Sequence, residues 1–321
     1  MPDSLDQLVD RLKAAAEPSR LRLLAICSRG EWTVSELVRI LGQSQPRVSR
    51  HLRILAEAGL LERLPEGSLA FYRRVREGPG VLLARRLLEL LPPGDPMVEA
   101  DRRRMEAVRE ERRRRVERWF DTRALAWDSE RDLGVDGRRV ERALLERLGG
   151  VRPRRLLDVG TGTGRILELL APLVGEGIGI DISHRMLEVA RVRLDRAGFR
   201  HCRVQQADMY ALPFPDGHFD LVTFHQVLHF ADDPEAALGE TVRVLAPGGR
   251  LVVVDLARHD REELRRERRH RRLGFEDAEM RSWFATLGLE PEEPVRLAGE
   301  ELTVVIWTGR KPAPRGLRVA A

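Results

Sequence analysis

Cysteine is scarce in this sequence of 321 residues, because only Cys27 and Cys202 are present. Two thiols cannot form a disulfide framework or a structural metal site built from several cysteines. Soft metal ions are bound through thiolates, so we predict no metal site. Both cysteines stand within apolar patterns, which predicts buried thiols with a structural role.

Lysine is almost absent: Lys13 and Lys311 are the only two, whereas lysine and arginine together number 56. The formal net charge is +5. A chain-wide bias toward arginine often follows the nucleotide composition of a genome, so by itself it is weak evidence for nucleic-acid binding. The informative observation is where the arginines cluster.

Long apolar runs are also missing, since none approaches the roughly 20 residues that a membrane-spanning helix needs. The early acids Asp3, Asp6 and Asp10 do not resemble the basic start of a secretory signal. We therefore expect a cytoplasmic protein with no membrane partner. The length exceeds that of one average domain and predicts two.

Residues 156–164 read Leu-Leu-Asp-Val-Gly-Thr-Gly-Thr-Gly and lead into the helical pattern of residues 165–173. This order predicts a strand, a tight turn and a helix. The glycines Gly160, Gly162 and Gly164 let a ligand approach the main chain without meeting a side chain. The free N–H groups that open the helix would then face that ligand.

The spacing of these glycines separates two classes of cofactor. Dinucleotide sites read G-x-G-x-x-G and wrap a pyrophosphate, whereas this turn reads G-x-G-x-G with Asp158 two residues before the first glycine. A carboxylate there would repel a pyrophosphate but suits the ammonium group of an amino acid, as in S-adenosylmethionine. A second strand ends at Asp181, which is placed to accept hydrogen bonds from ribose hydroxyls. A third strand leads to Asp208, which is placed to accept one from the adenine amino group.

The glycine turn and the three acids together resemble the class I S-adenosylmethionine-dependent methyltransferases. Residues 213–228 and 243–251 are similar to the small-molecule branch that includes the ubiquinone and menaquinone methylases, and the resemblance covers about residues 118–310. It implies an α/β fold with a Rossmann-like sheet of seven strands, S-adenosyl-L-methionine as cofactor and a small-molecule methyl acceptor. The residues expected to contact the cofactor are Asp158, Gly160, Thr161, Gly162, Gly164, Asp181, Ile182, Met186, Asp208, Met209 and His225.

A fourth strand, residues 220–225, brings His225 to the carboxyl edge of the sheet, where class I methylases place groups that face the acceptor. Histidine titrates near neutrality, so His225 is the candidate catalytic base. The alternative is that it only lines the cofactor site. His229 is a second candidate. Residues 258–272 are interpreted as a charged helix at the solvated surface.

The first hundred residues predict a helix, a short break at residues 42–44 and a second helix over residues 45–59. Thr33 is a plausible N-cap of the helix before this break, which follows two earlier predicted helices around residues 5–12 and 19–27. Strands at residues 60–64 and 69–75 would form a hairpin, or wing. A helix, a tight turn with glycine and a helix with arginines on its first turns is the helix-turn-helix arrangement that enters the major groove of DNA. The alternative is that the arginine-rich helix faces solvent and has no role in DNA binding.

Residues 16–72 resemble the ArsR family of winged-helix regulators, which act as dimers. The resemblance implies a mainly α winged helix-turn-helix domain that binds a double-stranded DNA operator. Metal-sensing members carry a cysteine pair before the turn, where this chain reads Trp-Thr-Val-Ser-Glu at residues 32–36, so a metal-sensor interpretation has little support. The residues expected to contact DNA are Ser44, Gln45, Arg47, Ser49, Arg50, Arg53 and Gly67.

As in that family, an apolar helix near residues 82–91 would pair with the same helix of a second copy in a homodimer. The alternative is that this helix packs on its own domain. The domain prediction is a winged helix-turn-helix domain at residues 1–92, a charged helical linker at 93–118, a methyltransferase domain at 119–311 and a flexible tail at 312–321. The linker is interpreted as a solvated spacer. The aromatic segment 119–128 is either a lid over the cofactor or a core helix.

Three functions remain open from the sequence. The first is a DNA-binding regulator that carries a methyltransferase of a small molecule. The second is a catalytically silent sensor, in which S-adenosylmethionine or S-adenosylhomocysteine controls operator binding. The third is methylation of DNA or protein, which is disfavoured because the fourth strand reads Thr-Phe-His-Gln at residues 223–226, where amino methylation of bases uses an Asn/Asp-Pro-Pro-Tyr/Phe motif.

Overall fold

The computed structural model describes residues 4–66, 69–75, 78–124, 135–150 and 152–313. The chain divides into two compact units, Met1–Arg114 and Arg115–Ala321. No helix among the described residues has the length and apolar character of a membrane span. Each unit contains one cysteine, and both cysteines are buried as expected.

The first unit is a helical domain with a small sheet. Its three strands are ordered β1-β3-β2, and β2 and β3 form the predicted hairpin. The elements are α1 (Leu5–Ala15), α2 (Pro18–Cys27), β1 (Trp32–Thr33), α3 (Val34–Leu41), α4 (Gln45–Glu57), β2 (Leu61–Glu66), β3 (Leu69–Arg74) and α5 (Gly80–Glu89).

Local sequence signals account for the helix-turn-helix. Thr33 caps α3 through a reciprocal pair of hydrogen bonds with Glu36. Gly42 ends α3 in the left-handed conformation, with φ of +68°. Ser44 is the N-cap residue of α4, whose buried residues Val48, His51, Leu52 and Leu55 form the predicted apolar face.

A sixth helix, α6 (Pro96–Arg123), contains the boundary between the two units. Its Asp101, Met105 and Val108 are buried in the first unit. The interpretation of residues 98–118 as a solvated spacer is therefore wrong for this face. The sequence pattern does not reveal this buried face of α6, because a charged residue, Asp101, occupies one of its positions. Arg22 neutralises the charge of Asp101 there.

The second unit is an α/β domain built on a mainly parallel sheet. Its helices are α7 (Gly137–Leu148), α8 (Arg165–Leu170), α9 (His184–Ala197), α10 (Pro234–Val244), α11 (Glu262–Glu267) and α12 (Asp277–Thr286). Its strands are β4 (Arg155–Val159), β5 (Glu176–Asp181), β6 (Cys202–Gln206), β7 (Phe219–His225), β8 (Leu245–Leu256), β9 (Glu290–Pro291), β10 (Val295–Ala298) and β11 (Thr303–Arg310).

The strand order is β10-β11-β8-β7-β4-β5-β6, and the short β9 pairs with β11. The seven expected strands are present among the described residues, and β9 is an eighth. Strands β4 to β8 are parallel, whereas β11 runs antiparallel to β8. The order reverses between β4 and β7, and ligands of such sheets bind at the carboxyl edge beside this switch point.

The segment after β8 differs from its prediction. The expected charged helix over residues 258–272 is wrong, because the helix covers only Glu262–Glu267. His270, Arg272 and Leu273 are buried beyond it. The chain turns back toward the sheet there, where Phe275 pairs with Ala257 in an isolated parallel bridge. The mixture of arginine and glutamate in residues 258–272 is typical of a solvated helix. It does not indicate that His270, Arg272 and Leu273 are buried.

Candidate cofactor site and DNA-binding surface

The glycine turn lies at the carboxyl end of β4 and fits tightly against its neighbours. A Cβ atom on Gly160 would lie 2.2 Å from Cγ2 of Val227, and one on Gly164 would lie 2.9 Å from Cβ of Ala190. Both glycines also have positive φ, +67° and +80°. The turn therefore requires glycine both for its backbone conformation and for space. The backbone N–H of Thr161 fixes it by donating to the carbonyl of Ile180 on β5 at 2.8 Å.

Asp158, on β4 just before the turn, is buried. Its Oδ1 accepts a hydrogen bond from the hydroxyl of Thr223 on β7 at 2.7 Å. Within the part of the chain that the structure describes, its Oδ2 has no hydrogen-bond partner. Burial raises the pKa of this carboxyl to about 6, and the hydroxyls of Thr223 and Thr161 partly offset that rise.

Asp181, the last residue of β5, is joined to the glycine turn. Its Oδ2 accepts from the backbone N–H of Gly162 at 2.9 Å, and its Oδ1 accepts from the N–H of Ser183 at 2.8 Å. The surrounding protein desolvates this half-buried carboxyl and raises its pKa to about 6, although the backbone donors oppose the shift. These contacts use one lone pair of each oxygen and leave others able to accept from a ligand.

Sequence reasoning missed Asp121, which lies near the end of α6. Its Oδ1 accepts a hydrogen bond from the hydroxyl of Ser183, and its negative charge contributes to the raised pKa of Asp181. No motif marks this residue, because its proximity depends on how α6 packs. The aromatic residues Trp119 and Phe120 beside it pack against the core of the second unit. Residues 125–128 of the aromatic segment lie outside the described residues.

Asp208 follows β6 and is half-buried. Its Oδ1 accepts from the backbone N–H of Tyr210 at 3.0 Å. The hydroxyl oxygen of Tyr210 in turn accepts from the N–H groups of Asp232 and Asp233, at 2.7 and 3.1 Å, and so ties this loop to the one after β7. The three acids thus lie at or just beyond the carboxyl ends of three adjacent parallel strands.

The remaining predicted contacts lie in the same region. Met186 is buried in the first turn of α9, and Ile182 and Met209 are half-buried in the loops after β5 and β6. His225 is the last residue of β7 and is half-buried. Gln226, directly after it, has φ of +52°, which is uncommon for a residue with a side chain and marks a sharp exit from the strand.

The predicted DNA-contacting residues lie on one exposed face of the first unit. All six that the structure describes are exposed: Ser44, Gln45, Arg47, Ser49, Arg50 and Arg53. Three of these, Ser49, Arg50 and Arg53, line a concave surface together with Arg63 and Tyr72 of the hairpin. Gly67, in the hairpin turn, lies outside the described residues.

Two known families match parts of this chain. Residues 17–63 match the family described as "Bacterial regulatory protein, arsR family", and residues 157–253 match the family described as "Methyltransferase domain". The chain joins an ArsR-type helix-turn-helix domain to a class I methyltransferase domain. The methyltransferase match begins inside β4 and ends inside β8, and therefore covers the strands that carry Asp158, Asp181 and Thr223.

The methyltransferase domain is similar to curated relatives over part of their length. Demethylmenaquinone methyltransferase of Thermus thermophilus is 46% identical over 105 residues, which are 32% of this chain and 47% of that protein. Ubiquinone/menaquinone biosynthesis C-methyltransferase UbiE of Azotobacter vinelandii is 38% identical over 151 residues, 45% of this chain and 60% of that protein. The chain thus spans about half the length of these relatives. The crystal structure of the YcgJ protein of Bacillus subtilis shares 22% identity with a TM-score of 0.49, covering 55% of this chain and 99% of that one.

Proposed function

We propose that this ArsR-type regulator binds S-adenosylmethionine in its methyltransferase domain and transfers the methyl group to a small molecule. The observation that carries the proposal is the buried Asp158, whose Oδ2 has no hydrogen-bond partner among the described residues and stands beside a turn that only glycines can form. An unsatisfied buried carboxylate oxygen is costly without a ligand. An ammonium group would satisfy both its charge and its lone pair.

The other residues suit the rest of the same ligand. Asp181 would accept from the ribose hydroxyls while its backbone donors hold it in place, and Asp208 would accept from the adenine amino group. Met186, Ile182 and Met209 offer apolar surface to the adenine ring. When bound, S-adenosylmethionine supplies an activated methyl group on its sulfonium, so the protein's contribution is to hold donor and acceptor in line.

Calorimetry tests this proposal directly. The unaltered chain is expected to bind both S-adenosylmethionine and S-adenosylhomocysteine, and Asp158→Asn should weaken binding by about 10-fold to 100-fold, the value of a hydrogen bond to a charged group. Asp195→Asn, on the exposed side of α9, is the matched control and should bind normally. Absence of binding to the unaltered chain would refute the proposal.

The first unit is proposed to bind an operator as a homodimer. The exposed arginines of α4 and Arg63 of the hairpin support this, because their guanidinium groups would be able to contact phosphates and base edges. Apolar residues are exposed on α1, on α5 and at its C-cap, including Leu82 at 59% and Leu90 at 78%. A two-fold pairing through these helices would present two α4 helices about 34 Å apart, one turn of DNA. In analytical ultracentrifugation, Leu82→Glu should shift the chain toward monomer, and an unchanged sedimentation coefficient would contradict the assignment.

A second function, ligand-controlled DNA binding, is favoured by the contacts of α6. Its Asp101 and Arg112 pair with Arg22 and Glu36 of the first unit, at 2.5 and 2.6 Å. Further along the same helix, Asp121 accepts from Ser183 of the second unit. One helix therefore contributes to the DNA-binding domain and to the cofactor site, and a ligand that changes one end can bias the other. DNA footprinting with and without each ligand tests this, and equal operator affinity in all cases would exclude it.

A further inference from the structure

His51 lies on the inner face of α4, the helix whose outer face carries the proposed DNA contacts. Only 8% of His51 is exposed, whereas its neighbour Arg50 is exposed. It is also the only histidine in residues 1–114, the range of the first unit. Histidine is the side chain that ordinarily changes its charge near neutral pH. A proton on His51 would therefore add a charge to the helix that is proposed to face DNA.

Arg47, one helical turn before His51, is bound to its ring. The guanidinium Nε of Arg47 donates a hydrogen bond to Nε2 of His51 at 3.4 Å. Its Nη2 also lies 3.6 Å from Oε1 of Glu17. An arginine side chain is always charged and has only donors, so Nε2 can accept from it only while the imidazole is neutral. A neutral His51 therefore helps to hold Arg47 against the protein.

Glu17 lies beside the same ring. It is the N-cap of α2, where its Oε2 accepts from the backbone N–H of Arg20 at 2.9 Å. The distance from this Oε2 to Nδ1 of His51 is 3.9 Å, which is too long for a hydrogen bond. Nδ1 has no hydrogen-bond partner in the part of the chain that the structure describes. A charged imidazole would have the Glu17 carboxylate as its counter-ion, which a buried charge requires.

The charges around His51 set its response to DNA. Burial lowers the pKa of His51, Glu17 opposes that effect, and the guanidinium groups of Arg20, Arg47 and Arg50 lower the pKa further. The ring is therefore mainly neutral near pH 7 in the absence of DNA. Phosphates bound at these arginines would offset their positive charge and raise the pKa again. Binding of DNA and binding of a proton therefore favour each other.

Other charged side chains on α4, and on the elements that pack against it, are bound elsewhere or exposed. The bound ones are Arg11 of α1 with the carbonyl of Ala58, Asp10 with Lys13 of α1, Arg22 of α2 with Asp101, Glu36 of α3 with Arg112, Arg39 of α3 with Glu111, Arg53 with Glu57 of α4, and Glu62 of β2 with Arg73. Asp6 of α1 and Arg63 of β2 are exposed. Glu17 is thus the carboxylate that faces His51.

We propose that protonation of His51 releases Arg47 to contact a DNA phosphate, so that the first unit takes up a proton when it binds DNA. The added proton binds Nε2, the hydrogen bond from Arg47 to that nitrogen breaks, and the imidazolium forms an ion pair with Glu17. This ion pair also competes with Arg47 for the Glu17 carboxylate. The inference rests on the proposed DNA binding. It makes the affinity for DNA rise as the pH falls.

Fluorescence anisotropy tests whether DNA binding takes up this proton. The probe is a labelled duplex of the region directly upstream of the gene that encodes this chain, titrated at pH 8 and at pH 6. The affinity of the unaltered chain is expected to be about 3-fold to 10-fold higher at pH 6, within the limit of about tenfold per pH unit for one proton. His51→Gln keeps an acceptor for Arg47 but takes up no proton, so its affinity should be the same at both pH values.

The comparison between variants is needed because Asp158 and Asp181 of the second unit also titrate near pH 6. His184→Gln is the matched control, since His184 is exposed on α9 of the second unit; it should keep the pH dependence of the unaltered chain. Arg47→Gln should weaken binding more at pH 6 than at pH 8, because the guanidinium is released only at the lower pH. Equal pH dependence in His51→Gln and in the unaltered chain would overturn the proposal.

The state of the ring can be measured without DNA. In nitrogen-15 spectra of the histidine-labelled chain, the signal that is absent from His51→Gln identifies His51. Its neutral ring is expected to carry the proton on Nδ1, because Nε2 accepts from Arg47, and Glu17→Gln should lower its pKa because the counter-ion is lost. A proton on Nε2 of the neutral ring, or a pKa that Glu17→Gln leaves unchanged, would also overturn the proposal. Absence of binding to the duplex at either pH, with these spectra as expected, would instead refute the proposed DNA binding.

Discussion

Arg22 and Asp101 form a bidentate ion pair in the interior of the ArsR-type helix-turn-helix domain. Nε donates to Oδ2 at 2.5 Å and Nη2 donates to Oδ1 at 2.7 Å, with both side chains buried. The hydrogen bond from Arg22 to Asp101 raises the pKa of the guanidinium. The pair attaches the first turns of α6 to α2, which packs against α4. It therefore connects the long helix to the rest of the helix-turn-helix domain.

Breaking this pair is expected to destabilise the DNA-binding domain. Arg22→Met leaves a buried carboxylate without its main partner and should lower the free energy of unfolding by about 3–5 kcal/mol. Replacing both partners, as Arg22→Met with Asp101→Leu, should recover most of that loss. Urea titration followed by circular dichroism provides the measurement. Arg102→Met, which removes an exposed pair with Glu99, should cost less than about 1 kcal/mol, and equal effects of the two single variants would contradict the prediction.

Asp158→Asn is expected to stabilise the ligand-free methyltransferase domain at neutral pH by about 1–3 kcal/mol. Burial raises the pKa of Asp158 from 3.8 to about 6, so the folded domain holds this proton where the unfolded chain has lost it. The stability from protonation is complete below about pH 4 and is lost as the pH rises through about 6. Urea titrations at pH 5 and pH 8 should show a larger gain at pH 8, and a gain independent of pH would disprove the burial argument.

Gly160→Ala is expected to disrupt the glycine turn, because the added Cβ would lie 2.2 Å from Val227. Gly198→Ala is a matched control, since Gly198 has φ of +74° and nothing within 4 Å of the added atom. Both variants share backbone strain of about 1 kcal/mol, and only Gly160→Ala adds a steric cost of about 1–3 kcal/mol or more. Thermal unfolding should separate them, and calorimetry should show lost cofactor binding in Gly160→Ala alone. Equal loss of stability would mean that the contact with Val227 is unimportant.

Arg50→Ala is expected to weaken DNA binding, because Arg50 is exposed on α4 and lines the concave surface beside the hairpin. If it contacts a phosphate, the slope of log affinity against log salt should decrease by about 0.9 for each contact removed. Fluorescence anisotropy over a salt series measures both quantities. Arg102→Ala, on the exposed part of α6, serves as the control. Normal operator affinity for Arg50→Ala would show that α4 is not the reading helix.

Features that depend on neighbouring residues in sequence were predictable. The cap at Thr33, the left-handed Gly42 and the glycine turn each follow from local backbone chemistry, and the acids at strand ends follow from the parallel order of the strands. The apolar face of α4 was equally clear, because its period matches that of a helix.

Features that depend on tertiary packing were not predictable. His229 and Asp255 are 26 residues apart and meet only because β7 and β8 are neighbours. Asp121 reaches Ser183 through the packing of α6, and Asp101 is buried because Arg22 neutralises it. In each case a charged or polar side chain meets a partner that is distant in sequence, and hydrophobic periodicity gives no signal for such a contact.

The two buried cysteines provide an internal probe for each unit. Cys27 belongs to the DNA-binding unit and Cys202 to the methyltransferase unit, and burial raises the pKa of both thiols, that of Cys202 to about 11. Neither thiol should react with a maleimide until its own surroundings open. Mass spectrometry of labelled peptides would then time the opening of each half separately, in the native sequence and without any engineered reporter.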